Sequence, residues 1–248
     1  MSRAAVPPTR WAALQALEPA KAMSRRGVPY GGAFFVMLLG NRIYVSFDLG
    51  GSMTSNVDPS SPLRSTKSAL QLRCGRHTLD LSFPRVMGIL NVTPDSFSDG
   101  GQYATPAAAV DRAMDMAAHG ADMIDVGGES TRPGSVPISQ EEEVRRVLPV
   151  VTALARENAV ISIDTRRADV MAASLDKGAT IINDISALTR DSRSLNVAAA
   201  SDASIVLMHM KVNPDSMGKG PNYVDVVEEV NNYLGNRIMA CLEAGLEK

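Results

Sequence analysis

The sequence is poor in the residues that build metal clusters and disulfide frameworks: two cysteines, Cys74 and Cys241, and three histidines, His77, His119 and His209, in 248 residues. The cysteines lie far apart without CxxC spacing, and no histidine sits close to another histidine or to a cysteine. A zinc pattern and a disulfide framework are thereby excluded, a histidine-based transition-metal site is not expected, and a reducing cytoplasm is the expected setting. Long apolar runs are missing as well. The longest, Ala33 to Leu39, is far below the roughly 18 to 20 residues that cross a bilayer, so no membrane partner is expected. Nor does one sign of charge dominate: 25 Lys and Arg stand against 27 Asp and Glu, a formal net charge of -2, which carries no nucleic-acid signature. With 45% hydrophobic residues, the profile is that of a globular protein.

Residues 1–71 read differently from the rest. Pro7-Pro8, Gly31-Gly32, Gly50-Gly51 and the "SSPLRSTKS" run interrupt each short apolar segment, so little packed structure is expected there. Up to Phe47 the segment holds six basic residues (Arg3, Arg10, Lys21, Arg25, Arg26, Arg42) and one acidic residue, Glu18. That balance loosely resembles an organellar transit peptide. A disordered extension, or a start codon placed too early with Met53 or Met87 as internal candidates, is the preferred reading.

From about Leu72 the pattern is regular. Apolar runs at Val86–Leu90, Met123–Val126, Val160–Ile163, Thr180–Ile182 and Ile205–Met208 alternate with helical segments, the mark of repeated βα units. The first helix is expected to begin at Thr105-Pro106, an N-cap with proline at N1, to carry Val110, Ala113, Met114 and Ala117 on one face, and to stop at Gly120. The second opens with a capping box, Ser139 with Glu142, and a stripe of Val144, Val147, Leu148 and Val151. A third is expected over Arg166–Lys177 before Gly178, a weaker one over Asp191–Ala200, and a last from near Tyr223 with Val227, Val230, Leu234 and Ile238 on one side.

A polar residue stands at the end of every run: Asn91, Asp125 leading into "GGESTRPGS", Asp164 with Thr165, Asn183 with Asp184, and His209. Each alone reads as an Asx turn, a helix cap or a core histidine. Together they describe one rim, and in parallel α/β folds the carboxyl ends of the strands build the ligand site. The "GGESTRPG" loop adds glycine amides, the Ser130 and Thr131 hydroxyls and the planar fork of Arg132, groups suited to an oxyanion. It matches neither the P-loop nor the dinucleotide fingerprint. Asp164 reads as a buried acceptor for an amine-like edge.

These motifs, "MGILNVTPDSFSDGG", "IDVGGESTRPG", "ISIDTR", "IINDISAL" and "VLMHMK", in this order and spacing, resemble the strand-loop motifs of the bacterial dihydropteroate synthase family, the sulfonamide target. The resemblance runs from about Leu72 to the end. It implies an α/β fold, a partial (β/α)8 TIM barrel of about five βα units behind a poorly structured extension, with residues 72–248 as the pterin-binding domain. It implies a cytoplasmic transferase of folate biosynthesis that joins 4-aminobenzoate to 7,8-dihydropterin-6-ylmethyl diphosphate, releasing diphosphate, with Mg2+ assisting the leaving group. Carried over by position, Asn91 matches the metal-contacting asparagine, and Thr131 with Arg132 the pair near diphosphate and aminobenzoate. Asp164 and Asn183 match the residues that hydrogen-bond the pterin ring, and Met208 a residue lining its pocket. Pro94, Asp95 and Phe97 fall in the first mobile loop and Pro133 in the second, both shaping the aminobenzoate pocket.

The resemblance also implies homodimers and three further βα units, with Asp-Pro-Gly, Lys-Ser-Arg and Arg-x-His segments that these 248 residues do not contain. An open five-stranded sheet exposes the edges of its first and fifth strands, so aggregation or a complementing partner is expected, with no condensation by the isolated chain. The alternatives are a truncated, non-catalytic pterin-binding fragment and another pterin-dependent barrel such as a methyltetrahydrofolate methyltransferase.

Overall fold

The structure, a computed structural model, describes residues 35–39, 42–46, 71–82, 84–93, 105–130, 136–210 and 223–246. Five strands, β5 (Met87–Asn91), β6 (Met123–Gly127), β7 (Ile161–Asp164), β8 (Ile181–Asp184) and β9 (Ser204–Leu207), pair in parallel in chain order. Each new strand adds on the same side of the last. With right-handed crossovers, that order sends every connecting helix to one face, as in a barrel, and leaves the other face to the site. The connections are α1 (Pro106–Ala118), α2 (Gln140–Arg156), α3 (Ala168–Asp176) and α4 (Ser194–Ala199), and α5 (Val226–Glu243) follows β9.

Two caps form where the sequence puts them, Thr105 accepting the Ala108 N–H and Ser139 that of Glu142, and Asp225 accepts that of Glu228, each satisfying a donor the helix leaves free. Gly120 and Gly178 then end their helices at positive φ, 101° and 109°, which glycine adopts without strain. The strand residues facing the helices, Leu90, Ile124, Val126, Ile161, Ile163, Ile182 and Leu207, join Ala113, Met114, Val147, Val151 and Leu154 of the helices in the main core.

On the opposite face a small hairpin, β3 (Gln71–Cys74) with β4 (His77–Asp80), lies at the N-terminal ends of the strands. Cys74, with Leu72 and Leu79, packs against Met87, Met123, Val160, Ile181 and Val206. Gly75 N–H donates to Asp202 O at 2.9 Å, and the Ser204 hydroxyl to Arg73 O at 2.7 Å.

Three expectations change. Within the segment expected to hold little packed structure, β1 (Phe35–Leu39) and β2 (Arg42–Ser46) form an antiparallel hairpin, and β1 pairs antiparallel with β9 through Met37 and Val206. The sheet is therefore seven-stranded, β2-β1-β9-β8-β7-β6-β5, and the β9 edge is paired rather than open. The sequence signal was two β-rich runs around Gly40-Asn41, a two-residue hairpin spacing.

The first four parallel strands also run through Asn91, Gly127, Asp164 and Asp184, one or two residues beyond the end of each apolar run, whereas β9 stops at Leu207, one short of Met208. Finally, α3, α4 and α5 begin later than expected, at Ala168, Ser194 and Val226; Val227 is 61% exposed, so the buried stripe of α5 starts at Val230 and continues at Leu234. Among the described residues no helix is long and apolar enough to cross a membrane.

Candidate functional site

The register aligns Asn91, Gly127, Asp164 and Asn183 as one row across β5, β6, β7 and β8 at the carboxyl ends of the strands. Side chains alternate along each strand, so all four belong to the face away from the helices. A Cβ built on Gly127 would lie 3.4 Å from Asn91 Oδ1 and 3.5 Å from Asp164 Oδ2. The missing side chain thus leaves a gap between an amide and a carboxylate.

One pleat below, Asp125 is 2% exposed and its Oδ2 accepts from Asn183 Nδ2 at 3.0 Å. Its other oxygen is buried beside the Ser162 hydroxyl, in register on β7, which acts on the carboxyl as a hydrogen-bonding neighbour. The gap at Gly127 above them, between Asn91 and Asp164, is where a ligand with N–H groups could reach these acceptors. Burial raises the Asp125 carboxyl above the ordinary carboxylate range, against the lowering effects of the Ser162 hydroxyl and the Asn183 amide. Burial, then the charges of Asp125, Asp184 and Glu143, push Asp164 well above it too, with Arg166 opposing. Two carboxyls sharing a low-dielectric recess resist joint ionisation, and donors from a ligand would relieve that.

Asn183 and Asp184, adjacent in sequence, separate in function. Asn183 turns to the site, whereas Asp184, fully buried, accepts the Ser186 N–H and hydroxyl, both at 2.7 Å, and the Leu188 N–H at 3.0 Å. These bonds hold a turn in which Ala187 and Leu188 have φ of 53° and 60°, strained values for residues with a side chain. Arg237 and Tyr233 of α5 donate to the carbonyls of Ala187 and Ser186, at 2.8 and 3.5 Å. His209, after β9, packs edge-on to Tyr233 with ring centres 4.9 Å apart. Met208 beside it is half-buried.

Of the residues singled out from sequence, Asn91, Asp164 and Asn183 come together in the row and Met208 follows the neighbouring strand. Pro94, Asp95, Phe97, Thr131, Arg132 and Pro133 lie outside the described residues. Sequence reasoning noticed Asp125 only as a strand-end residue and assigned it no role. The available signal was parity: Asp125 is two residues before Gly127 and shares its face.

A family model described as pterin binding enzyme matches residues 87–248. The dihydropteroate synthase of Escherichia coli strain K12 is 51% identical over 172 residues, covering 69% of this chain and 61% of that protein. That of Streptococcus pyogenes serotype M1 is 48% identical over 165 residues, 66% of this chain and 59% of that protein. This chain therefore spans about three fifths of the length of these relatives. Among solved structures, the Xanthomonas albilineans dihydropteroate synthase with 4-aminobenzoic acid is similar with TM-score 0.66 and 46% identity, over 73% of this chain and 64% of that one. The Yersinia pestis enzyme in a sulfonamide drug complex gives 0.67 and 44%, over 71% and 64%. The Xanthomonas albilineans enzyme with 7,8-dihydropteroate gives 0.62 and 43%, over 71% and 62%.

Proposed function

This chain belongs to the family of pterin binding enzymes, and from that premise we propose that it works as a dihydropteroate synthase, a transferase of folate biosynthesis. The substrates are 7,8-dihydropterin-6-ylmethyl diphosphate and 4-aminobenzoate, and the products dihydropteroate and diphosphate. The observation that carries this reading is the recess of Asp125, Asp164 and Asn183, in which Asn183 Nδ2 donates to Asp125 Oδ2 and Gly127 leaves a gap between Asn91 and Asp164. A pterin ring presents adjacent N–H donors along one edge, the complement of two carboxyl acceptors and an amide.

Asp164, Asn183 and Asp125 bind and orient the ring, and Met208 lines its pocket. Thr131 and Arg132 hold the diphosphate, while Pro94, Asp95, Phe97 and Pro133 shape the aminobenzoate pocket. The aminobenzoate nitrogen forms a bond to the pterin methylene as the carbon–oxygen bond to diphosphate breaks, and the amine then loses a proton. That amine is neutral at pH 7, so positioning matters more than activation.

Charge builds on the departing diphosphate, where Arg132 and backbone amides stabilise it. The Asn91 amide oxygen would be a suitable hard ligand for Mg2+. Among the described residues no three His, Cys, Asp or Glu side chains form a metal cage, so the ion would rest on few protein donors. When bound it neutralises charge on the leaving group. Sulfonamides would compete with 4-aminobenzoate, and the cytoplasm and a homodimer are the setting proposed.

Pterin binding without turnover is a second reading, favoured by one observation: Ile89, on the same face as Asn91, is 46% exposed, so part of the face that would wall the site is uncovered. Titration with 6-hydroxymethyl-7,8-dihydropterin, then incorporation of labelled 4-aminobenzoate into dihydropteroate, separates the two. Binding with sulfonamide-sensitive incorporation is the expected result. Binding alone selects the second reading, and no pterin binding sinks both.

A further inference from the structure

Helix α5 reaches two neighbouring strand ends through residues one helical turn apart. Arg237 Nε donates to the Ala187 carbonyl at 2.8 Å and its Nη2 to that of Leu188 at 3.5 Å, while the Tyr233 hydroxyl donates to the Ser186 carbonyl at 3.5 Å. All three carbonyls belong to the turn that follows β8. The Tyr233 ring lies edge-on to His209, which follows β9 next to Met208. Tyr233 and Arg237, at i and i+4, share one face of the helix. That face therefore holds the chain just after Asn183 and the chain just after Met208.

The turn is held in a costly shape. Ala187 and Leu188 keep φ of 53° and 60°, a left-handed pair that glycine would adopt without strain, yet both carry side chains that are buried in the main core. That burial and the bonds to the Asp184 carboxyl fix the turn from inside, and the Arg237 fork, which a lysine cannot reproduce, fixes its carbonyls from outside. Val230, Leu234, Ile238 and Cys241 already dock α5 on the core, so the polar pair serves the turn rather than the helix. Strain maintained by surrounding contacts collects at functional positions, and here it directly follows the strand that carries Asn183. The Asn183 carbonyl accepts the Thr165 N–H at 3.1 Å and its Nδ2 donates to Asp125 at 3.0 Å, so Oδ1 is the acceptor it would offer a ligand. A shift of the β8 end would misdirect that atom.

We propose that Arg237 and Tyr233 are positioning residues of the heterocycle subsite. They act through the turn after β8 and through His209 after β9, setting the orientation of the Asn183 amide and the place of Met208. The ligand class is a flat heterocycle with N–H donors along one edge, and the inference rests on the function proposed above.

The full chain tests this without needing turnover. In Arg237→Met, hydrogen exchange in peptides covering 184–190 should rise roughly tenfold, since a bond from a charged donor is lost. The NMR resonance of the Asn183 side-chain amide should shift as well, a signature that a change confined to helix packing would not produce. Calorimetry with 6-hydroxymethyl-7,8-dihydropterin should show about tenfold weaker binding. Arg237→Lys, which retains one donor, should recover part of that loss, and Tyr233→Phe, which keeps the ring on His209, should lose only about threefold. Both keep the helix packing and carry the test should the methionine variant not fold. Wild-type pterin affinity in these variants, or an unmoved Asn183 resonance, would overturn the proposal. If the wild-type chain does not bind the pterin, the functional reading falls and the heterocycle subsite with it, while the resonance still decides whether Arg237 orients the Asn183 amide.

Discussion

Asp164 and Asp125 are carboxyl groups that the fold makes difficult to ionise. Their folded-state pKa values are raised, first by burial, so the sign is fixed. Their contribution to stability is complete below the unfolded value near 3.8 and is lost as pH rises through the raised folded value. Asp164→Asn should therefore be more stable than wild type at neutral pH, with the difference shrinking toward pH 4. Thermal melts across that range check it, each kcal/mol regained showing as about 2–4 °C.

The same substitution should weaken 6-hydroxymethyl-7,8-dihydropterin binding by roughly tenfold to a hundredfold, because an acceptor becomes partly a donor. A variant with neither gain in stability nor loss of affinity would remove Asp164 from the recess. Gaining stability while losing a ligand is the usual mark of a binding residue.

The β6 strand and the turn after it end in two consecutive glycines with different duties. A Cβ on Gly128 would come within 2.8 Å of Val147 Cγ1, 3.0 Å of Glu143 Cγ and 3.3 Å of the Glu143 carbonyl. Gly128→Ala should thus push β6 away from α2 and cost about 1–3 kcal/mol, read from the urea midpoint. On Gly127 the nearest atom would be at 3.4 Å, an ordinary contact, so Gly127→Ala should leave the midpoint within about 0.5 kcal/mol while crowding the gap between Asn91 and Asp164. Equal effects at both positions would contradict this division. The limits of α1 and the start of α2, in contrast, follow from local chemistry: the Thr105 and Ser139 caps and the Gly120 stop lie where the sequence puts them.

Across the whole molecule, the two sides of the parallel sheet meet different fates. On one, β1 pairs with β9; on the other, β5 is the last strand of the sheet, and Val86 and Ile89 are 55% and 46% exposed. Unpaired strand edges recruit other strands. Removing residues 1–70 should expose the β9 backbone and raise self-association, measured by light scattering at matched concentration. A truncated chain as monodisperse as the full one would mean that the hairpin does not protect that edge.

Local chemistry carried much of this structure in plain view. Alternation of β-branched runs with capped amphipathic helices determined the βα order, and the run of Asn91, Asp164 and Asn183 at strand ends foretold the rim on which they come together. Three things needed the tertiary structure. The parallel register decided that Asp125 sits beneath Asn183 and accepts from its amide, and that Asp184, next to Asn183 in sequence, serves a turn instead. Long-range charge pairing decided that Glu129 and Glu143, 14 residues apart in sequence, share Arg167. Strand pairing decided that a hairpin near the start of the chain closes the β9 edge. Caps and periodicity act between residues three or four apart and so are written in sequence, whereas burial, pKa and edge pairing depend on which distant segments the fold brings together.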